Sequence, residues 1–320
     1  MAHDPNLAAD TCIFMEAVAG DGGVHTGGFY WLSPDIQLTG ATSGPDKADP
    51  GQPNAIDVTC HNKGPNCTIV GGAESITIQI WVARPSIAMA PNDPTITKMI
   101  DSIGTPTFGL TNPHTQQFIW TPAIGLPPDH PEAPGHKCLF ARSFPDSLVP
   151  SATNFFVEDP HVAQHNICIV PCGGPGAAKR PGPCGQDVTT INTNVRKADV
   201  VKIAVWLDLD PQKHVREIVE RLVKRVKGFE RLARRPPKSF QLQLPDGIKA
   251  KIADTSKKGT GKKAPGYDAL VPLDAAQSIR CRFVADLSGA SLGEAFVFHL
   301  TQEASDRSPQ GGLTVVMVAG

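Results

Sequence analysis

Apolar and polar residues alternate along most of this chain, in short runs separated by clusters of Pro, Gly, Asn and Asp. Ile56, Val58 and Cys60 alternate with Asp57, Thr59 and His61, and Ile76, Ile78, Ile80 and Val82 repeat the pattern against Thr77 and Gln79. A period of two is what a strand with one buried face requires. Phe29 to Leu38, Phe118 to Trp120, Cys138 to Ala141 and Ile167 to Val170 supply further strands, the last two apolar on both faces and therefore central. About seven strands over residues 29–170 predict a β-sandwich, preceded by an N-terminal segment over residues 1–28.

Residues 171–185, PCGGPGAAKRPGPCG, are too rich in Pro and Gly for a helix or strand and read as a linker. A second alternating series follows: Val201, Ile203, Val205, Leu207 and Leu209, then Phe240, Leu242 and Leu244, then Ile279, Cys281, Phe283, Ala285 and Leu287, then Phe296, Phe298 and Leu300, then Leu313, Val315 and Met317. This predicts a second β-sandwich over residues 186–320. Within it Asp210 suits an N-cap and Pro211 the first helical position, and Val215, Ile218, Val219, Leu222, Val226 and Phe229 recur at helical spacing, predicting an inserted amphipathic helix over 211–233. Pro236-Pro237 ends it, and the Lys/Gly-rich stretch Thr255 to Gly266 reads as a loop.

Composition agrees with this picture. The chain has 320 residues, with 30 Gly and 30 Pro against 40% hydrophobic residues, which suits many turns joining short strands around two cores. No apolar run approaches the roughly 18 residues of a membrane-spanning helix. The first twenty residues carry acidic groups where a signal peptide needs positive charge, so the expected location is the cytoplasm, or release by a nonclassical route. Charge changes the picture more. The formal net charge is -1, yet Lys213 to Lys263 holds sixteen Lys/Arg against five Asp/Glu, a local +11 that leaves -12 on the rest. Such a segment fits a contact with nucleic acid or an acidic surface, or a solvated helix face; no nucleic-acid recognition motif accompanies it.

The runs SPDIQLTG, GQPNAIDVTCHNKG, ITIQIWVARPS, GHKCLFARSFP and DPHVAQHNICIV resemble the bacterial immunoglobulin-like modules of the CARDB-related group over about residues 29–170. The resemblance implies a mainly β protein with immunoglobulin-like sandwiches that bind or space other proteins; the second sandwich rests on pattern alone. It also implies that Cys60 and Cys138 occupy the places of the inter-sheet disulfide. Trp81 departs from the family pattern, sharing the parity of Thr77 and Gln79, and His136 stands where the corner tyrosine would be. Trp81 on that polar face is a candidate contact residue, unless the loop Pro85 to Pro94 covers it.

Eight cysteines leave two readings open, buried thiols in a reducing compartment or bridges at Cys60–Cys138 and Cys172–Cys184. His161, His165, Cys168 and Cys172 have the ligand types and short spacings zinc uses, although strand alternation sets Cys168 on the opposite face from the histidines. Gly289-Ala290-Ser291-Leu292-Gly293 matches the G-x-S-x-G pattern of a hydrolase nucleophile elbow, with His299 the only later histidine to serve as base; the alternation after it reads instead as a hairpin. Gly259 to Lys263 lacks phosphate-loop spacing, and Asn66-Cys67-Thr68 is a formal glycosylation sequon. The first expectation is a non-enzymatic binding or assembly protein with no cofactor, which meets a protein partner or its own copies through its sheets and through Arg221, Lys224 and Arg225. A zinc or serine hydrolase and a nucleic-acid-binding protein are the alternatives.

Overall fold

The computed structural model describes residues 4–25, 28–63, 75–105, 112–127, 130–133, 137–151, 157–173, 181–254 and 265–320. The protein is mainly β and divides into two units: Met1–Arg84 with Met89–Asn166, and Pro85–Ala88 with Ile167–Gly320.

In the first unit, β1 (Ile13–Phe14), β2 (Ile36–Gly40), β3 (Gly44–Pro45), β4 (Asn54–Asn62) and β7 (His114–Trp120) form one sheet, in which β4 pairs antiparallel with β1, β2 and β7. The other sheet runs in the order β6 (Thr97–Thr105), β5 (Ile76–Ala83), β8 (Cys138–Pro145), β9 (Val162–His165). Ile36, Ile56, Val58 and Phe118 from one sheet share a core with Ile76, Ile78, Ile80, Leu139 and Ala141 from the other. Burying each of these Ile, Val, Leu and Phe side chains is worth roughly 1.5–3 kcal/mol. A one-residue slip of β4 would exchange Ile56 and Val58 for Asp57 and Thr59, so the alternation fixes the register.

The N-terminal segment belongs to this unit rather than standing apart from it. Leu7, Cys12 and Met15 are fully buried, and the Met15 N–H donates to the Pro160 carbonyl at 2.8 Å. Residues 4–12 carry no strand period because side-chain carboxylates, not a ladder, hold them in place. Strand β8 corrects two further expectations. Leu139 and Ala141 face the core, so Cys138 lies on the opposite face with Phe140 and Arg142 and cannot meet Cys60, which points inward beside Val58. Both cysteines are buried thiols, with Cys138 Sγ directed at Asn166 Oδ1. Trp81 on β5 is not an exposed contact residue: only 3% accessible, it stacks on Phe140 with centroids 5.6 Å apart, and the Arg142 guanidinium lies 5.6 Å from its ring.

In the second unit a seven-stranded sheet runs β10 (Ile167–Cys172), β19 (Pro309–Ala319), β18 (Glu294–Glu303), β12 (Asp199–Asp208), β16 (Gly266–Leu273), β15 (Lys251–Asp254), with β13 (Arg231–Leu232) beside β18. A three-stranded sheet runs β11 (Pro183–Ile191), β17 (Ser278–Asp286), β14 (Ser239–Gln243). Val201, Ile203, Val205, Phe296, Phe298 and Val315 meet Val188, Leu242, Cys281 and Phe283 in one core. Ile87 joins the same core, its N–H donating to the Thr189 carbonyl at 2.8 Å.

The Pro/Gly stretch 171–185 is not a free linker. Its first residues finish β10, which pairs in parallel with β19 from Ile167↔Thr314 to Cys172↔Ala319, and its last begin β11. The division between the units falls earlier, after Asn166; residues 174–180 lie outside the described residues. Helix α1 (Lys213–Val223) is also shorter than 211–233. Gln212 occupies the N-cap without a side-chain bond, while Asp210 instead accepts from Arg216 at 3.0 Å. Beyond Val223 the chain tightens into turns, with the Val226 N–H donating to the Val223 carbonyl, and reverses at Gly228, whose φ of 88° suits glycine. Val215, Val219, Leu222 and Val223 form the helix's buried face. No helix among the described residues is long and apolar enough to cross a membrane.

Candidate functional site

The structure does not assemble the four-residue zinc set. His161 and His165 lie in the first unit, whereas Cys168 and Cys172 lie in the second. Both ring nitrogens of His161 are engaged by carboxylates, Nδ1 with Asp159 at 2.6 Å and Nε2 with Asp10 at 3.1 Å. His165 places Nδ1 3.1 Å from the Ser33 carbonyl oxygen and Nε2 3.1 Å from Asp46. Cys168 is a buried thiol 3.3 Å from Gln186 Oε1. Cys172 is bonded to Cys184, with Cα atoms 5.5 Å apart, and Cys12 is disulfide-bonded as well.

His161 is the centre of a buried charged network. Asp159 also accepts from the Asp4 N–H at 2.8 Å, and Asp4 lies 3.8 Å from Arg142. Burial pushes the His161 pKa down, but the bonds to Asp10 and Asp159 outweigh it and lift the group to about 9. The chemistry is that of a clasp: a cation pins residues 4–12 to the entrance of β9.

The serine pair is not assembled either. Ser291 sits in the connection from β17 to β18, which crosses between the two sheets and is not a hairpin. Its N–H donates to Glu294 at 2.9 Å, and its Oγ faces Arg231 at 3.4 Å. His299 lies five residues into β18, with Nδ1 3.0 Å from Thr314 Oγ1 and Nε2 3.3 Å from Asp208. The glycines of the motif have a conformational role: Gly289 and Gly293 have φ of 94° and 79°, and a Cβ at Gly293 would collide with the Gly228 carbonyl oxygen. The stretch Gly259 to Lys263, the sequon Asn66-Cys67-Thr68 and His136 lie outside the described residues.

What the second unit does expose is basic. Arg221, Lys224 and Arg225 are solvent-facing around the end of α1, where positive side chains complement the helix dipole. Beside them opens a groove of about 990 Å³ whose basic lining residues are Arg216, Lys224, Arg231 and Arg234. Asp208, Asp210, Glu220 and Glu230 share the lining, and Arg216 and Arg231 are paired with Asp210 and Glu294. Arg231, Arg234 and Arg235 continue around a neighbouring hollow with Glu294.

No protein-family model and no curated protein matches the chain. Among solved structures it is similar to red sea bream transglutaminase at 11% identity and a TM-score of 0.19, covering 89% of this chain but only 31% of the transglutaminase. The C-terminal domain of the Streptococcus pyogenes antigen I/II-family protein AspA aligns at 6% identity and a TM-score of 0.22, over 90% of this chain and 100% of that one. The collagen binding domain of Erysipelothrix rhusiopathiae surface protein RspB aligns at 10% and 0.18, over 85% and 93%. Overlap this low assigns no activity.

One cluster had no counterpart in the sequence reading. Glu16, on the loop after β1, Asp35, just before β2, and His61, on β4, bring a donor atom each to within 4.8 Å of one another, close enough that the three could hold one metal ion. His61 Nε2 is 3.0 Å from both Asp35 oxygens, and the Glu16 N–H donates to Asp35 Oδ2. The bond to Asp35 raises the His61 pKa despite burial. Three lone residues separated by 19 and 26 positions carry no spacing that marks them in the sequence. Only the pairing of β4 with β1 and β2 brings them together.

Proposed function

We propose that this protein is a binding module, built on two immunoglobulin-like sandwiches, that holds an acidic protein surface through the end of α1 and the segment after it. The observation that carries this reading is the exposed set Arg221, Lys224 and Arg225 beside a groove open to solvent. The acidic remainder of the chain, at -12 against the local +11, makes a second copy a suitable partner.

Strand order supports the immunoglobulin-like part of the proposal. In the first unit β2-β4-β7 and β6-β5-β8-β9 follow the A-B-E and C′-C-F-G order of such folds. In the second, β19-β18-β12 and β11-β17-β14 follow G-F-C and B-E-D, with α1 falling after the C-like strand. The CARDB-related resemblance fits the same order in the first unit.

Sedimentation of the protein at low ionic strength, alone and with polyglutamate, tests the reading. The expected result is association that weakens as the screening length falls from about 10 Å at 0.1 M salt to about 3 Å at 1 M, and that is lost in the triple variant Arg221→Glu, Lys224→Glu, Arg225→Glu. Association that persists in this variant, or a preference for a DNA duplex over polyglutamate, would sink it.

A further inference from the structure

We propose that Glu16, Asp35 and His61 form a site for a divalent transition-metal ion of the zinc type. Two carboxylates and an imidazole are ligands that zinc, cobalt and manganese accept. Their spacing suits one ion. Bonds of roughly 2.0–2.1 Å in a tetrahedron set neighbouring donor atoms about 3.3 Å apart, and His61 Nε2 already stands 3.0 Å from each Asp35 oxygen. Glu16 brings a carboxylate oxygen within 4.8 Å of the other two donors, and its Oε2 is held by the Gly20 N–H at 2.9 Å.

The fold aims these groups before any ion arrives. The His61 ring stacks on Phe14, with centroids 5.0 Å apart and planes 18° from parallel, which fixes the direction of Nε2. Asp35 is only 5% exposed, and its N–H donates to Ser33 Oγ at 3.1 Å. Asp21 shapes the loop that carries Glu16, accepting from the Ala17 and Val18 N–H groups at 3.0 and 2.9 Å.

Charge favours an ion as well. Two carboxylates leave a net -1 even against a protonated imidazole, whereas a divalent cation with a neutral ring balances them. Three protein ligands keep a fourth position for water or for a carboxylate of a bound partner. The inference is independent of the basic surface of the second unit.

Calorimetric titration of the chelator-stripped 320-residue chain with Zn²⁺ alone tests the site. One equivalent should bind, and Asp35→Asn, His61→Ala and Glu16→Gln should each weaken binding at least about tenfold. Co²⁺ in place of Zn²⁺ should give d–d bands with no thiolate charge-transfer band. Failure of the native protein to bind, unchanged affinity in the three variants, or a thiolate band each overturns the proposal. Circular dichroism checks the fold of each variant; if His61→Ala unfolds, Glu16→Gln, at a half-buried loop position, carries the test.

Discussion

His161 in the first unit and His299 in the second are both nearly inaccessible, at 1% and 0% exposure, yet their surroundings drive them in opposite directions. His161 lies between Asp10 and Asp159 and is lifted to about 9. Burial dominates at His299, where a single carboxylate, Asp208 at 3.3 Å, and the hydroxyl of Thr314 do not offset the lost water, and the nearby His214 adds repulsion, so its pKa falls. Depth alone therefore does not set the charge of a buried imidazole. The number of carboxylates touching it does. The first unit uses an internal cation to hold its N-terminal segment, whereas the second keeps its buried His299 toward the neutral form and exposes Arg221, Lys224 and Arg225.

Removing the cation should have the largest effect. His161→Ala leaves Asp10 and Asp159 buried without their partner, at a cost of about 3–5 kcal/mol. Urea unfolding should show this loss in the first unit, with the transition of the second unmoved; a loss below about 1 kcal/mol would break the contrast. Cutting Cys172–Cys184, which spans 12 residues, should remove about 3 kcal/mol from the second unit alone, as measured for the double serine variant against the oxidised protein.

The pH dependence should split the units in the same way. A raised pKa stabilises the fold fully below the unfolded value near 6.5, and this contribution is lost as pH rises through about 9, on the order of 3 kcal/mol for His161. The lowered pKa of His299 works in reverse: its contribution is present above pH 6.5 and is lost on acidification. Scanning calorimetry between pH 5 and 10 should show the first unit weakening on the alkaline side and the second on the acid side, and both transitions moving together would refute the assignment. The smallest effect is expected from His299→Gln, about 1–2 kcal/mol from the altered bonds to Thr314 and Asp208, together with loss of the acid slope in the second unit. An acid slope that survives the substitution would mean that another group carries it.

The same contrast explains what the sequence made legible. Ile56, Val58 and Cys60, or Val201, Ile203 and Val205, announce their strands because a two-sheet core imposes a period of two, and the structure places those faces inward. Residues 4–12 have no period to read, because Asp159 and His161, about 150 positions away, hold them. His161 stood out as a residue type, but nothing local named Asp10 as its partner. Cys138 shows a different failure. The alternation of Leu139 and Ala141 already turned it outward, and the immunoglobulin-like analogy overrode that local signal. The helix end is not legible because Val226 and Phe229 keep the apolar spacing although the chain has already left the helix after Val223. The Glu16, Asp35 and His61 cluster was invisible for want of any sequence proximity.

The parallel pairing of β10 with β19 bears on how the second unit meets mechanical load. One strand begins at Ile167 and the other finishes at Ala319, side by side through six aligned pairs, and the Gly320 N–H closes on the Cys172 carbonyl at 2.8 Å. Tension applied to the chain at those two points pulls the strands lengthwise past one another. The hydrogen bonds of the ladder then resist together, as in a lap joint, rather than parting one at a time like a zip. The Cys172–Cys184 bond ties the end of β10 to the start of β11, so a pull on this ladder is passed on to the three-stranded sheet as well.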